Sequence, residues 1–513
     1  MTVTLLCGAH AENISVLKDE TLLEAIRRTM GAAVHAPCGG QGTCQKCTVF
    51  LRAESGEQAV LACRTPVWDG MVIRVPAEGE LAVEMTCTEQ IPCDPDAGQK
   101  GYGIACDIGT TTVVCHLVER STGKCVATVG EGNAQRPYGG DVIARIKASM
   151  EGQREVLTVA IREQLNRMIG ALCREGGIDA AEISYMVVAA NTTMCHLLAG
   201  LQPDGLGVAP FTPVSRFGEE YDAREWSLPF DGTVYLAPAV SGYVGGDITA
   251  DVLAARMGEA DKPVLLVDVG TNGEMVLGCG NRMICCSTAA GPAFEGAQIS
   301  CGMTAAPGAI SRVDWLEGKP VCTVIGDGEA VGLCGSALID GVAMMLELGI
   351  LDETGRLLDP EEDEDEIPAE AMPYLMLIDG QPAFRLTERV YITQADIRKL
   401  QLGKGAIAAG IRVLMDAYGV RENEVCELLL AGGFGSVIRP ESAARIGLIP
   451  EELLPVTRAI GNGAALGAQM ALVSKGARES LTELRDKMEY LELSGMPAFN
   501  NAYMDAMLFP EVE

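Results

Sequence analysis

The sequence predicts an α/β protein of two unlike parts: a small β-rich unit followed by a pair of similar α/β lobes. Three observations lead there. Four cysteines fall at close spacing within the first 63 residues. An apolar strand ending in Asp-Ile-Gly-Thr or Asp-Val-Gly-Thr occurs twice, at 107–110 and 268–271. A further apolar strand runs into a Gly-rich loop at 428–435. The chain has 513 residues, more than one domain's worth, and 48% of them are hydrophobic, enough for a large buried core. Aromatics are only 4%, so aliphatic side chains and glycine-rich backbone carry the packing.

Residues 1–80 form the first unit. Val3 to Cys7 alternates as a strand does, and Thr21 to Met30 has helical spacing after an Asp-Glu start. Val49–Leu51, Val60–Ala62 and Met71–Val75 read as further short strands. Residues 81–100 are polar, contain Pro92 and Pro95, and read as a linker. From 101 onward strands alternate with helices, the pattern of an α/β domain. Here the sequence repeats itself: Ile104–Val118 reads IACDIGTTTVVCHLV and Val264–Gly278 reads VLLVDVGTNGEMVLG, each followed by a tight turn and a third strand. A two-fold repeat at this distance implies two similar lobes, at 101–260 and 261–475, rather than a solenoid. Residues 476–513 form an ordered C-terminal segment rich in Met, Phe, Tyr and Leu, and the acidic run Asp359–Glu366 reads as a solvated loop.

Cys38, Cys44 and Cys47, with Cys63 after fifteen intervening residues, give the spacing C-x5-C-x2-C…C. Four thiolates are what a [2Fe–2S] cluster needs, and plant-type ferredoxins use C-x4-C-x2-C…C. Gly39, Gly40 and Gly42 let the backbone wrap a cluster and aim N–H groups at its sulfurs. A zinc ribbon would use two separated C-x2-C pairs, and only one is present. The unit is therefore expected to be a β-grasp, plant-type ferredoxin domain.

The two repeats each put a turn where a nucleotide's phosphates can be cradled. Gly109, Thr110 and Thr111 in the first, and Gly270, Thr271 and Asn272 in the second, offer N–H groups and side-chain donors. Asp107 and Asp268, at the ends of their strands, are placed to hold Mg²⁺. Gly432, Gly433 and Gly435, after Leu428–Ala431, form a loop that can pass under an adenosine. No G-x-x-x-x-G-K-[ST] occurs, so this is no P-loop ATPase. Asn191–Met194, Ser241–Asp247 and Gly335-Ser336 are weaker signals that read equally as helix caps or turns. The four histidines are isolated, so no catalytic triad is expected.

The formal charge of −31 excludes nucleic acid and anionic membrane as natural partners. No segment reads as a bilayer span or an export signal, and nineteen cysteines, an odd number, argue for reduced thiols in the cytoplasm rather than a disulfide framework.

Taken in order, the cysteine loop, DIGTTT, NTTM, SGYVGGD, DVGTNGE, CGSALID and AGGFG resemble the reductive activators of corrinoid proteins over nearly the whole chain. The resemblance implies a two-lobed actin-like (ASKHA, RNase H-like) ATPase behind the ferredoxin domain. It implies one-electron reduction of Co(II) to Co(I) in a corrinoid protein, driven by ATP and supporting methyl transfer or O-demethylation, with a low-potential electron donor upstream. It assigns Cys38, Cys44, Cys47 and Cys63 to the cluster, and Asp107, Gly109, Thr110, Thr111, Asp268, Gly270, Thr271, Asn272, Gly432, Gly433 and Gly435 to Mg²⁺-ATP. Glu274 is the candidate for orienting the attacking water. A homodimer stays open. The alternatives are a metabolite kinase with an accessory cluster, for which Asp247 is the available base, and a passive electron carrier.

Overall fold

The computed structural model describes residues 2–7, 10–17, 20–30, 47–53, 56–75, 91, 93–326 and 328–511. Cys38 and Cys44 lie outside these residues, as does most of the stretch at 81–100.

The N-terminal unit is a mixed sheet flanked by a helix. Its elements are β1 (Thr2–Cys7), β2 (His10–Ser15), α1 (Leu22–Met30), β3 (Thr48–Ala53), β4 (Gly56–Leu61) and β5 (Val72–Val75). The strand order is β2-β1-β5-β3-β4, with β1 and β5 parallel. Val3 and Leu5 of β1 are fully buried with Leu22, Ile26, Val49 and Ile73, as the alternation requires. The helix starts one residue later than its spacing implies. Thr21 and Glu24 form a reciprocal cap, with Thr21 N donating to Glu24 Oε2 at 2.7 Å and Glu24 N to Thr21 Oγ1 at 3.3 Å. The strand expected at Val60–Ala62 ends at Leu61. Ala62–Arg64 instead form one 3₁₀ turn, with Ala62 N bonded to the Cys47 carbonyl at 2.9 Å.

The first lobe holds β6 (Tyr102–Ile108), β7 (Thr112–Glu119), β8 (Lys124–Gly132), α2 (Val142–Ala148), α3 (Arg154–Gly176), β9 (Ile183–Ala190), α4 (Thr192–Ala199), β10 (Glu219–Asp222), β11 (Thr233–Leu236) and α5 (Gly246–Ala254). Its sheet order is β10-β11-β9-β6-β7-β8. The second lobe opens with β12 (Val264–Val269), β13 (Gly273–Cys279) and β14 (Arg282–Thr288), then β15 (Ala309–Leu316), β16 (Lys319–Val324), β17 (Gly332–Leu333) and α6 (Gly335–Glu347). A small sheet follows, β18 (Leu375–Ile378), β19 (Gln381–Arg385) and β20 (Tyr391–Thr393), and then α7 (Gln394–Tyr418), β21 (Glu427–Ala431), α8 (Gly432–Gly435), α9 (Pro440–Arg445) and β22 (Thr457–Gly461). The chain ends with α10 (Gly463–Val473), α11 (Lys475–Lys487), β23 (Met488–Tyr490) and α12 (Pro497–Ala506). The main sheet runs β22-β21-β12-β13-β14-β23.

The sequence repeat is a structural one. In each lobe three antiparallel strands are followed by a fourth that returns parallel to the first, β9 beside β6 and β21 beside β12. The lobes are joined by α5 and α10, which pack on each other. Gly467 permits that crossing, because a Cβ there would sit 2.1 Å from the Ala250 carbonyl oxygen.

The end of the stretch read as a linker is tied down. Ile91 is buried in the cluster formed with α5 and α10, Asp96 N and Gln99 Nε2 bond the Val473 carbonyl at 3.0 and 2.7 Å, and Lys475 N bonds Asp96 Oδ2 at 2.6 Å. An apolar residue and a helix-capping carboxylate turn this part of a polar segment into a strap. Cys125, on β8, takes part in a disulfide, an exception to the reduced thiols expected throughout.

Candidate functional site

A cavity of about 500 Å³ opens between the two lobes. It is lined from both repeats by Asp107, Gly109, Thr110, Thr111, Asp268, Gly270, Thr271, Asn272 and Glu274, and from the loop after β21 by Gly432 and Gly433. Gly435 is the exception among the residues singled out. It is buried behind the loop, where a Cβ would lie 3.0 Å from the Leu430 carbonyl carbon, and it supports the turn rather than facing the cavity.

The two aspartates occupy equivalent places. Asp107 is beside Ala189 of β9 and Asp268 beside Ala431 of β21, so each carboxylate stands next to a small residue. Across the hairpin the lobes differ: Val114 faces Asp107, whereas Glu274 faces Asp268. Behind the first turn, Asn133 Nδ2 donates to the Gly109 carbonyl at 2.8 Å and Asn133 N to the Thr111 carbonyl at 2.8 Å. In the second, Gly270 N bonds the Asn272 carbonyl at 2.9 Å.

Gly432 sets the position of the third element. Its φ is +83°, and a Cβ would fall 2.1 Å from Asp268 Oδ1. The segment thus touches the second Asp-Val-Gly-Thr turn directly, and only a residue without a side chain fits there.

Contacts also cross between the lobes. Asn462, which caps α10, donates from Nδ2 to Asp107 Oδ2 at 2.8 Å. Glu295 accepts from Thr111 Oγ1 at 2.6 Å and from Thr271 Oγ1, so one carboxylate joins both turns. Asn191 caps α4 through Met194 N and donates to Thr110 Oγ1 at 3.2 Å, which makes it both a cap and a prop for the turn.

The cavity is strongly acidic. Asp107, Asp247, Asp251, Asp268, Glu274 and Glu295 line it, and no basic side chain does among the described residues. Burial pushes Asp107 up to about 7, with the neighbouring Asp268 charge adding to it and the Asn462 bond opposing it. Burial, then the charges of Asp268 and Asp107, push Asp247 up to about 8. Burial lifts Asp268 to about 6. Burial and the same neighbours hold Asp251 and Glu274 well above the ordinary carboxylate range. Crowded oxygen ligands of this kind suit a hard divalent cation such as Mg²⁺. Both carboxylate oxygens of Asp251 are buried without a hydrogen-bond donor, which fits that reading.

Two acids and one amide of this set escape motif reading. Asp247 ends the Ser241–Asp247 signal, and Asp251 lies one helical turn later on the same face of α5, so a D-x3-D spacing was the available signal for it. Glu295 and Asn462 carry no local signal, since each reaches the site from far along the chain.

In the N-terminal unit, Cys47 is fully buried and Cys63 nearly so, with their Sγ atoms 3.3 Å apart. Two thiols that close can ligate one iron of a binuclear cluster.

A ferredoxin-type unit ahead of a two-lobed fold with twin Asp-Gly-Thr hairpins defines an iron–sulfur protein built on an actin-like fold. Family models agree along the chain: the 2Fe-2S iron-sulfur cluster binding domain at residues 9–67, the RACo middle region at 102–260, and the C-terminal domain of RACo, the ASKHA domain, at 262–513. The corrinoid activation enzyme RamQ of Eubacterium limosum is 30% identical over 586 residues, covering 97% of this chain and 98% of that one. The [Co(II) methylated amine-specific corrinoid protein] reductase of Methanosarcina barkeri is 27% identical over 439 residues, covering 79% and 76%. Among solved structures, a reductive activator for a corrinoid, iron-sulfur protein superposes with a TM-score of 0.74 at 29% identity over 100% of this chain and 99% of that one. The chain belongs to the family of reductive activators of corrinoid proteins. Among the described residues no helix is long and apolar enough to cross a membrane.

Proposed function

We propose that this protein uses ATP to return a corrinoid protein from inactive Co(II) to Co(I), supplying one electron through its iron–sulfur domain. The observation that carries the ATP-dependent part is the cavity, where two equivalent hairpins and an acid cluster meet the start of α8 at Gly432, whose φ is +83°. Its own acids disfavour a bare triphosphate and favour one carried with a divalent cation. Asp107 and Asp268 would hold that Mg²⁺. Thr110, Thr111 and Thr271 donate to the phosphates, and Gly432 and Gly433 leave room for the adenosine. Glu274, held by Ser287 Oγ at 3.3 Å, orients the attacking water.

Cys47 and Cys63, together with Cys38 and Cys44, would hold the cluster. When bound, the [2Fe–2S] cluster supplies single electrons at low potential, taken from an upstream donor. The corrinoid protein serves a methyl-transfer or O-demethylation system, and the setting is the cytoplasm. Reduction to Co(I) is uphill for such a donor, and each tenfold adverse ratio corresponds to about 59 mV for one electron. Energy from ATP reaches the cobalt only if the partner senses the lobes. Nucleotide state and partner binding must then affect each other reciprocally.

The test is the spectrum of a Co(II) corrinoid protein mixed with this protein and a chemical reductant, with and without MgATP. Co(I) is expected only with ATP, together with a rise in ATP hydrolysis on adding the partner. Equal Co(I) in both arms would leave a passive carrier. Phosphorylation of a small metabolite would leave a kinase.

A further inference from the structure

Arg145, on α2, is fully buried, yet each acceptor it meets is neutral. Nε donates to the Gly139 carbonyl at 3.0 Å, Nη1 to Gln135 Oε1 at 3.3 Å and to Met194 Sδ at 2.9 Å, and Nη2 to the Thr110 carbonyl. The carboxylates of Asp141 and Glu295 act on it only through space, without a hydrogen bond, and a buried guanidinium with no direct carboxylate partner is costly. Burial lowers its pKa to about 9, so it stays protonated at neutral pH. The surroundings are built to hold it. Gly139 comes so close to α2 that a Cβ there would lie 2.8 Å from Arg145 N.

The place of that charge matters. Three successive carbonyls of the first phosphate turn accept bonds from behind: Gly109 and Thr111 from Asn133, and Thr110 from Arg145. In a planar trans peptide the N–H points opposite to its C=O. Bonds that draw these carbonyls backward therefore turn the N–H groups of Thr110 and Thr111 away from the Asn133–Arg145 side, in a turn that lines the cavity. Only the Thr110–Thr111 peptide has a charged donor on its carbonyl, which polarises it and strengthens its N–H. Among the described residues the cavity otherwise presents six carboxylates and no cationic side chain.

We propose that Arg145 is a positioning residue for the nucleotide's phosphates, acting through the Thr110–Thr111 peptide as the buried positive charge of an otherwise acidic site. The inference rests on the nucleotide reading above. It makes Arg145 a determinant of phosphate number: binding should depend on it for ATP, less for ADP, and not for adenosine, which has no charge to feel.

The experiment measures the affinity of the full, cluster-containing chain for adenosine, MgADP and MgATP in the wild type, Arg145→Met and Arg145→Lys. Visible absorbance and thermal melting confirm folding. Arg145→Met is expected to weaken MgATP by at least about tenfold, what one charge-assisted hydrogen bond is worth, MgADP by less, and adenosine by under about twofold. Arg145→Lys keeps the charge and is expected to hold the preference for ATP over adenosine within about threefold of the wild type. An equal loss for all three ligands would show a purely structural role and overturn the proposal, as would an unchanged MgATP affinity in Arg145→Met. Should that variant not fold, a collapsed preference in Arg145→Lys overturns it and a retained one supports it. A wild type that binds none of the three would instead remove the nucleotide reading on which the inference stands.

Discussion

Gly432 and Gly433 are neighbours in the same loop, and the structure expects opposite consequences from changing them. At Gly432 the φ of +83° costs an L-residue about 1–2 kcal/mol by itself. The larger effect is local. The new Cβ would meet Asp268 Oδ1 at 2.1 Å and the Val269 carbonyl oxygen at 3.2 Å. Ordinary contact begins near 3.4 Å, so the Asp268 carboxylate or the loop must move by about 1 Å. A misplacement of about 1 Å in a catalytic constellation costs about 10²-fold in rate. Gly432→Ala is therefore expected to lower Mg²⁺-dependent ATP hydrolysis by about two orders of magnitude. The whole-protein melting temperature should fall only by what about 1–2 kcal/mol removes from a large chain, a few degrees. At Gly433 a Cβ meets nothing within 4 Å, and its φ is not in the left-handed region. Gly433→Ala should keep hydrolysis within about tenfold. The assay is steady-state phosphate release, with the visible absorbance of the cluster as a control for folding. A Gly432→Ala protein that hydrolyses ATP at the wild-type rate would refute the placement of this loop against Asp268.

Asp268→Asn keeps the shape of the side chain and removes its charge; hydrolysis should fall about 10²-fold or more with the cluster intact, and near-normal turnover would show that the second hairpin does not hold the metal. Asp268, Asp107 and Asp247 titrate at about 6, 7 and 8, above the ordinary 3.8. The folded state thus binds more protons than the unfolded one in this window, so these groups make the Mg²⁺-free protein less stable as pH rises from about 5 to about 8. Mg²⁺ competes with those protons, and the melting-temperature gain it gives should grow from pH 5.5 to pH 8; a gain that shrinks over that range would contradict the assignment of these acids. Cys63→Ser should lose the visible absorbance and the bound iron while MgATP still raises the melting temperature, and an unchanged iron content would remove Cys63 from the ligand set.

What the sequence made legible is what short stretches encode. The Asp-Ile-Gly-Thr and Asp-Val-Gly-Thr turns are visible because a strand, an acid and a turn residue are contiguous, and their repetition forecasts the two lobes. The cysteine spacing is legible for the same reason, although the strand expected to reach Ala62 gives way there to the 3₁₀ turn that carries Cys63. The illegible part is long-range. Glu295 is 184 residues from Thr111, and Asn462 is 355 from Asp107. In sequence Asn462 is an ordinary helix cap and Glu295 an ordinary loop acid; neither has a partner until the lobes meet. Arg145 falls in a helix whose pattern gives no sign that it is buried. Gly435 was grouped with its neighbours because glycine runs look alike, whereas its burial against Leu430 separates it from them.

The elements that line the cavity are also those that join the lobes. Asp247 and Asp251 lie on α5, and Asn462 caps α10, which crosses α5 where Gly467 meets Ala250. Gly463, the first residue of α10, would place a Cβ 2.3 Å from Asp251 Oδ1, so the start of one helix bears directly on the acid cluster of the other. From there α10 runs eleven residues to Val473, whose carbonyl holds Asp96 N and Gln99 Nε2 of the strap. The acid cluster and the anchor of the strap are thus held by opposite ends of one helix.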